Sequence, residues 1–344
     1  MDALATQPQV TVVIPNWNTK HWLRGCLEGL RAQSYQDFQI ILVDNGSTDG
    51  SLAFVKQHYP EVQILAFATN QGFAPAVNAG IRQSHAKYVA LLNVDTIPRP
   101  DWLLALVKTM ERSPSTVGSL ASKMLNLEHP DIIDDAGDVL SWYGSARKRG
   151  MDEPADAYDE EKEVFSACAG AALYRRTFLE ETGGFDESFG SYLEDIDLGL
   201  RGQMLGYRCF FVPNAKVLHH SHGSGLSRSR YICLMTRNRL KLLTKNIPWP
   251  LLLKHCRTLI YGQIYFFLVY KRPLHSMAGT ISWLITLPHT LRQRRNIQRE
   301  NRISNQALDA LLSNELGEIP LREILRRKVH KGLHSASSFL KRKP

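Results

Sequence analysis

Two aspartates stand where buried apolar runs stop. "FQIILVD" (38–44) ends on Asp44, and the run Tyr88 to Leu92 gives way to Asn93 and then Asp95 in "LLNVDTIPRPDW" (91–102). A third group of acids, Glu194, Asp195 and Asp197, crowds "GGFDESFGSYLEDIDLGLRG" (183–202) just before an apolar helical stretch. A carboxylate fixed at such a place can offer oxygen to a hard divalent cation, or take a proton from a hydroxyl as a general base. Each also has a structural reading. Asp44 can cap a helix or a turn. Acids in a first helical turn offset its positive end, the reading preferred for Asp197. No GxGxxG or GxxxxGK[ST] occurs, so the dinucleotide fingerprint and the P-loop are both excluded.

The elements that must position these acids follow from hydrophobic period. "VTVVIP" (10–15), "FQIILVD" (38–44), "VQILAF" (62–67) and "KYVALLN" (87–93) read as strands. Between them, residues 22–33, 48–59 and 72–84 carry helical spacing. Leu23, Cys26, Leu27 and Leu30 fall on one face of the first. Strands alternating with helices of this length predict a mostly parallel sheet, which binds ligands beyond the carboxyl ends of its strands. Three such ends carry polar residues: "IPNWNT" (14–19), "VDNGSTDGS" (43–51) and "NVD" (93–95).

Taken in order, "VVIPNWN", "ILVDNGSTDGS", "TNQGFAPAVNAGI", "LLNVDT", "GGFDESF…YLEDIDLGLRGQMLGY" and "AKVLHHSHGS" resemble the family 2 glycosyltransferases over about residues 10–225. These are inverting enzymes of the GT-A fold, and the match is to their bacterial rhamnosyltransferase-like branch. The resemblance implies a Rossmann-like nucleotide-binding α/β domain over 1–225, with a mostly parallel mixed sheet flanked by helices. A donor half would cover about 1–100 and an acceptor half about 101–225. It also implies site roles. Pro15, Asn18, Asp44, Gly72, Phe73, Asn78, Asn93 and Asp95 would bind the donor. Asn93 to Asp95 fills the place of the family's DxD motif, with asparagine in the first position. Asp95 would contact Mg²⁺ or Mn²⁺, joined by His219. Asp195 would be the catalytic base, with Glu194 orienting it or meeting the acceptor. "HHSH" (219–222) also reads as an exposed loop, and its spacing is no zinc signature.

The chemistry suits these residue types. Departure of a diphosphate from a nucleotide sugar builds negative charge, which a bridging divalent cation offsets. One or two carboxylates plus phosphate suffice to hold such a cation. The acceptor hydroxyl must lose its proton as it attacks the anomeric carbon from the opposite face, so a single displacement inverts the configuration. The expected partners are a nucleotide sugar, possibilities being dTDP-rhamnose or a UDP- or GDP-sugar, and a glycan or polyprenyl-linked acceptor. Residues 126–165 resemble the family's variable segment near the acceptor, and most of their charges are expected to lie on a solvated loop. Trp142 and Tyr143 can stack on a sugar or serve the core.

Charge is divided along the chain. Residues 1–220 hold 19 Lys+Arg and 28 Asp+Glu, a net of −9, whereas 221–344 hold 23 and 5, a net of +18. A basic back half predicts a polyanionic partner. Residues 249–291 are the most apolar part of the chain, but Lys271, Arg272 and Pro273 cut the run Thr258 to Tyr270 short of the roughly 20 residues of a spanning helix. A helical, basic extension over 226–344 lying on an anionic membrane surface is therefore expected; the alternative is a hydrophobic helix pair that completes the fold or a dimer. The five cysteines form no CxxC pair and suit a reducing compartment. "MDALATQPQV" lacks the basic and apolar regions of a signal peptide. A cytoplasmic enzyme, peripheral on the inner face of the cell membrane, is the resulting expectation.

Other function classes fit less well. A processive synthase would carry QxxRW and spanning helices. A nucleic-acid-binding protein would carry a reading motif beside its basic tail, and none is present. A dead scaffold would have lost Asp44, Asp95 or Asp195. Oligomeric state is not legible.

Overall fold

The computed structural model describes residues 7–220 and 226–317. The N-terminal "MDALAT", part of "HHSH" and the basic tail ending "KRKP" lie outside the described residues. The donor half runs β1 (Val10–Asn16), α1 (Lys20–Arg31), β2 (Phe38–Asp44), α2 (Ser51–His58), β3 (Gln63–Ala66), α3 (Phe73–Gln83) and β4 (Tyr88–Leu92). There follow β5 (Thr96–Pro98), α4 (Trp102–Arg112), β6 (Val117–Asn126), β7 (Ile133–Asp135), β8 (Asp138–Leu140), β9 (Ala146–Lys148), β10 (Lys162–Val164), β11 (Ala171–Arg175), α5 (Arg176–Thr182), α6 (Glu194–Met204) and β12 (Arg208–His219). The chain then becomes helical: α7 (Arg228–Asn246), α8 (Trp249–Lys254), α9 (Cys256–Val269), α10 (Pro273–Glu300) and α11 (Asn305–Leu311).

One mixed sheet organises the molecule, in the order β10-β12-β6-β11-β4-β1-β2-β3, with β5 on β12 and β7 on β6. Its donor side is parallel, as the alternation of strands and helices requires: β4, β1, β2 and β3 all point one way. The acceptor side is mixed. β11 enters antiparallel between β4 and β6, and β10 and β5 pair antiparallel with β12. β6 and β12 pair parallel, so the expectation of a mostly parallel sheet describes the donor half and this one acceptor-side pair. Apolar side chains alternate to the two faces of β1: Val12 and Ile14 join α1 and α4 in one core, while Val13 joins α3 in the other. A third core gathers Leu140 and Trp142 with Ile196 and Leu200 of α6, Leu242 of α7, Ile247 just after it, and Leu308 beyond them. The helical extension thus shares its interior with the acceptor half.

The solvated reading of residues 126–165 holds for Glu128, Asp131, Asp152 and Glu153 but fails for Asp134, Asp135 and Asp138, which are buried. β7 and the start of β8 carry them inward. Trp142 is also fully buried, stacked on His255 at 3.8 Å. It is a core residue.

Candidate active site

Strand β1 ends at Asn16 opposite Asp44 of β2, which places both at one carboxyl edge. Asn16 Nδ2 donates to Asp44 Oδ1 at 2.7 Å, and the Ser47 backbone N–H donates to Asp44 Oδ2 at 3.0 Å. Both carboxylate oxygens are engaged, though each retains a lone pair for a ligand. Asn18, in a left-handed conformation (φ 52°), closes the turn: its N–H donates to Ser47 Oγ and its Oδ1 accepts from Thr48. Pro15 lies one residue earlier, in register with Val43. Asn45, which the sequence did not single out, donates to the Gly72 carbonyl at 2.9 Å and accepts from the Gln71 N–H at 2.8 Å. It ties the tip of β2 to the start of α3.

Gly72 and Phe73 open α3 against the loop that precedes α6. Gly72 (φ 98°) could not carry a side chain, because a Cβ would sit 3.1 Å from the Gly190 carbonyl oxygen. Asn78 bonds the same loop. Its amide donates to the Phe185 carbonyl and to Glu187, and its oxygen accepts from the Phe185 N–H. Asn78 thus holds Phe185, whose ring meets Phe73 edge-on at 6.5 Å, so the start of α3 and this loop are joined.

The next strand end carries Asn93 and Asp95. The Asn93 N–H donates to the Gly170 carbonyl at 2.9 Å, and its own carbonyl accepts from Thr96. Asp95 Oδ1 lies 3.6 Å from His219 Nε2, because β5 pairs His219 with Thr96. His219 Nδ1 is in turn 2.7 Å from Asp134 Oδ2, and Lys148 Nζ contacts the same oxygen at 2.6 Å. Burial disfavours the imidazolium, yet Asp134 and Asp95 outweigh it and lift His219 to about 9. Burial likewise opposes charge on Asp134, but His219 and Lys148 hold it well below the usual carboxylate range.

Asp95 and His219 would offer a divalent cation two donor atoms, in competition with the proton that Asp134 and Asp95 hold on the ring, and among the described residues no group of three or more such ligands gathers. A carboxylate oxygen and an imidazole nitrogen converge, and Asp134 fixes the ring so that Nε2 faces Asp95, as a carboxylate behind a ligating histidine does. The imidazole must be neutral to ligate. Two protein ligands leave room for diphosphate oxygens and water, as Mg²⁺ and Mn²⁺ require.

Glu194 and Asp195 open α6, whose N-terminus favours negative charge. Asp195 Oδ2 accepts from the Ala169 N–H at 3.3 Å and Oδ1 from the Ile196 N–H at 2.8 Å. The adjacent residue, Gly170, is the one that holds Asn93, so a single peptide link separates the supports of Asn93 and Asp195. Burial raises both carboxyls. For Glu194 the charge on Asp195 adds to the effect, and its Oε2 has no hydrogen-bond partner among the described residues. Burial thus raises both carboxyls, and the two backbone N–H donors oppose the rise at Asp195. Asp135 stands near them. Its Oδ1 accepts from the Gly137 N–H at 2.6 Å, and burial first, then neighbouring acids against Lys148, push it up to about 7. Asp138 accepts from Ser166 Oγ at 2.7 Å. Asp197, by contrast, is structural, paired with Arg201 and Lys245 at 2.8 Å each. The run "DIIDDAGD" held one signal of these buried acids, an Ile-Ile pair beside them, which neighbouring charges masked.

Acids thus gather at one strand edge and at the start of α6, and comparison with known proteins gives the class of the chain. The profile of the family described as glycosyl transferase family 2 matches residues 11–183. The N-acetylglucosaminyl-diphospho-decaprenol L-rhamnosyltransferase of Mycobacterium tuberculosis is 30% identical over 270 residues, covering 66% of this chain and 84% of the relative. Among solved structures, GalNAc-T7 with UDP, GalNAc and Mn²⁺ superposes with a TM-score of 0.59 at 15% identity, over 71% of this chain and 49% of that one. The mannosyltransferase PcManGT from Pyrobaculum calidifontis, in complex with GDP-Man and Mn²⁺, gives 0.51 at 16% identity, over 89% and 86%. The chain belongs to glycosyl transferase family 2. It is a glycosyltransferase with the fold of those enzymes.

Proposed function

We propose that the chain transfers one sugar, rhamnose from dTDP-rhamnose by its likeness to the mycobacterial relative, to a saccharide carried on a polyprenyl diphosphate, with inversion. The supporting observation is the 168–170 turn, whose successive residues hold Asn93 and Asp195 and so set the diphosphate-facing tip beside the base. In this reading Asn16, Asn18 and Asp44 cradle the nucleoside, with Pro15 as the wall beneath and Gly72 and Phe73 at the sugar end. Asp95 and His219 hold a divalent cation, which when bound supplies positive charge against the leaving diphosphate. Asp195 takes the proton of the acceptor hydroxyl as that oxygen attacks the anomeric carbon. Glu194, neutral, donates its proton in a hydrogen bond that orients the acceptor. The donor half extends over about 1–100, the acceptor half over 101–225 and the extension over 226–344.

The extension is read as a lipid-surface element on the cytoplasmic face. Among the described residues no helix is long and apolar enough to cross a membrane. Instead, Ile260, Ile264 and Phe267 form an exposed stripe on α9, and Leu274, Met277 and Ile281 one on α10. Leu274 is 75% exposed and Ile285 74%, well beyond what a solvated helix needs. Lys271 and Arg272 sit at the turn between them, placed to meet anionic headgroups. The test is a panel of dTDP-, UDP- and GDP-sugars offered with N-acetylglucosaminyl-diphospho-decaprenol. Product is expected with one nucleotide sugar, foremost dTDP-rhamnose; transfer to a free sugar but never to the lipid-linked one would overturn the acceptor.

A further inference from the structure

The segment 186–193, which delivers Glu194 and Asp195, has an unusual backbone. Tyr192 (φ 71°) and Leu193 (φ 67°) are consecutive non-glycine residues in the left-handed region that L side chains avoid. Such a pair persists only when its surroundings over-determine it. The surroundings here come from α7. Asn238, fully buried, directs its side-chain amide at three carbonyls: Phe189 at 3.2 Å, Ser191 at 2.9 Å and Tyr192 at 2.7 Å. Two amide hydrogens serve three acceptors, so at least one is shared. The Asn238 oxygen accepts from Arg237 Nε at 2.8 Å, and Arg237 also reaches the Phe189 carbonyl. Further along the same helix face, Lys241 bonds Ser188 Oγ, and Lys245 pairs with Asp186 at 2.6 Å. From the donor side the Ala74 N–H donates to the Gly190 carbonyl at 3.0 Å, and Phe73 N–H reaches Ser191 Oγ at 3.4 Å. The segment is therefore gripped between the start of α3 and the face of α7.

We propose that Asn238 is a positioning residue for the transfer reaction: its amide holds residues 189–192 in the left-handed turn that places Glu194 and Asp195 at the start of α6. The inference rests on the reading of Asp195 as the base. Helix α7 belongs to the extension, so the extension completes the catalytic half as well as meeting a surface. Alanine removes both donors. Aspartate keeps the shape but turns a carboxylate toward three carbonyl oxygens.

The experiment compares Asn238→Ala, Asn238→Asp, Leu242→Ala and Asp195→Asn, using the nucleotide sugar that supports turnover in the panel above. Leu242 lies one turn along α7 in the apolar core that also holds Phe189 and Leu193, so its truncation loosens that packing while leaving the Asn238 amide bonds in place. Asn238→Ala is expected to lower kcat about 10²-fold, the cost of a misplaced reacting group, with donor Kd by calorimetric titration unchanged. Asn238→Asp is expected to fall at least as far, although a role confined to filling space would rank it above alanine. Leu242→Ala should keep its kcat at temperatures where it is folded. If Asn238→Ala loses no more kcat than Leu242→Ala while Asp195→Asn is inactive, the positioning role is overturned and the base reading stands. If Asp195→Asn turns over at the wild-type rate, the base reading falls, and the object of the clamp with it.

Discussion

Asp195 and Asp134 illustrate how a side chain's chemistry is set by what donates to it. Asp195 accepts two backbone N–H groups at the positive end of α6, and Glu194 beside it has an oxygen with no partner among the described residues. The account therefore expects Asp195→Asn to lower kcat by about 10²–10⁴-fold, the usual worth of a general base, with nucleotide-sugar affinity unchanged by calorimetry. Wild-type turnover in that variant would move the role to Glu194. Because burial raises the Asp195 carboxyl, the acid limb of kcat/KM should lie above the ordinary carboxylate range. Activity is lost as pH falls through that limb, since the protonated acid accepts nothing. Asp134 acts at one remove. Asp134→Asn leaves the ring of His219 without its carboxylate, so Mn²⁺ binding, followed by electron paramagnetic resonance, should weaken about 10–100-fold. Unchanged Mn²⁺ affinity would make Asp134 a packing residue only.

Helix α7 shows why the extension cannot be treated as an appendage. Lys245 is buried between Asp186 at 2.6 Å and Asp197 at 2.8 Å, and Asn246 donates to the other oxygen of Asp197 at 2.8 Å. Lys245→Met leaves two buried carboxylates short of a partner, and urea unfolding should show a loss of about 3–5 kcal/mol. A loss within the range of a surface pair would contradict the arrangement. Burial opposes charge on both acids, but Lys245 with Lys241 or Arg201 prevails and holds them below their usual range. Their contribution is thus present above the unfolded carboxylate pKa and lost as pH falls below it, so Lys245→Met should also flatten the acid side of the stability profile. Little of this was legible in the sequence. The donor strands read to within a residue or so: β1, β2 and β4 are buried runs closed by a turn, with β2 ending on Asp44 and β4 on Leu92, whereas β3 is a half-exposed edge strand. The acceptor half did not, since β7 to β10 are three-residue pieces too short to show a period. Asp134, Asp135 and Asp138 looked solvated among neighbouring charges, and Asn238 gave no sign because its partners are backbone carbonyls far back in the chain.

At the scale of the whole molecule, an acidic catalytic body is joined to a basic, apolar-striped extension, an arrangement suited to an enzyme that works on a lipid-borne acceptor. Ile264→Glu combined with Ile281→Glu should abolish flotation with anionic liposomes and leave donor binding intact, because both side chains are exposed on the extension. High salt should loosen the wild type only in part, since the apolar contribution is unscreened. Recovery of the wild type in the soluble fraction with neutral and anionic liposomes alike would remove the membrane from the account. The central claim is narrower: one carboxylate base, one displacement, and no covalent glycosyl-enzyme intermediate. The measurement that meets it most directly is the anomeric configuration of the first-formed product, read by NMR from a nucleotide sugar of defined configuration. The account predicts an anomer opposite to that of the donor; a product that retains the donor's configuration would contradict it.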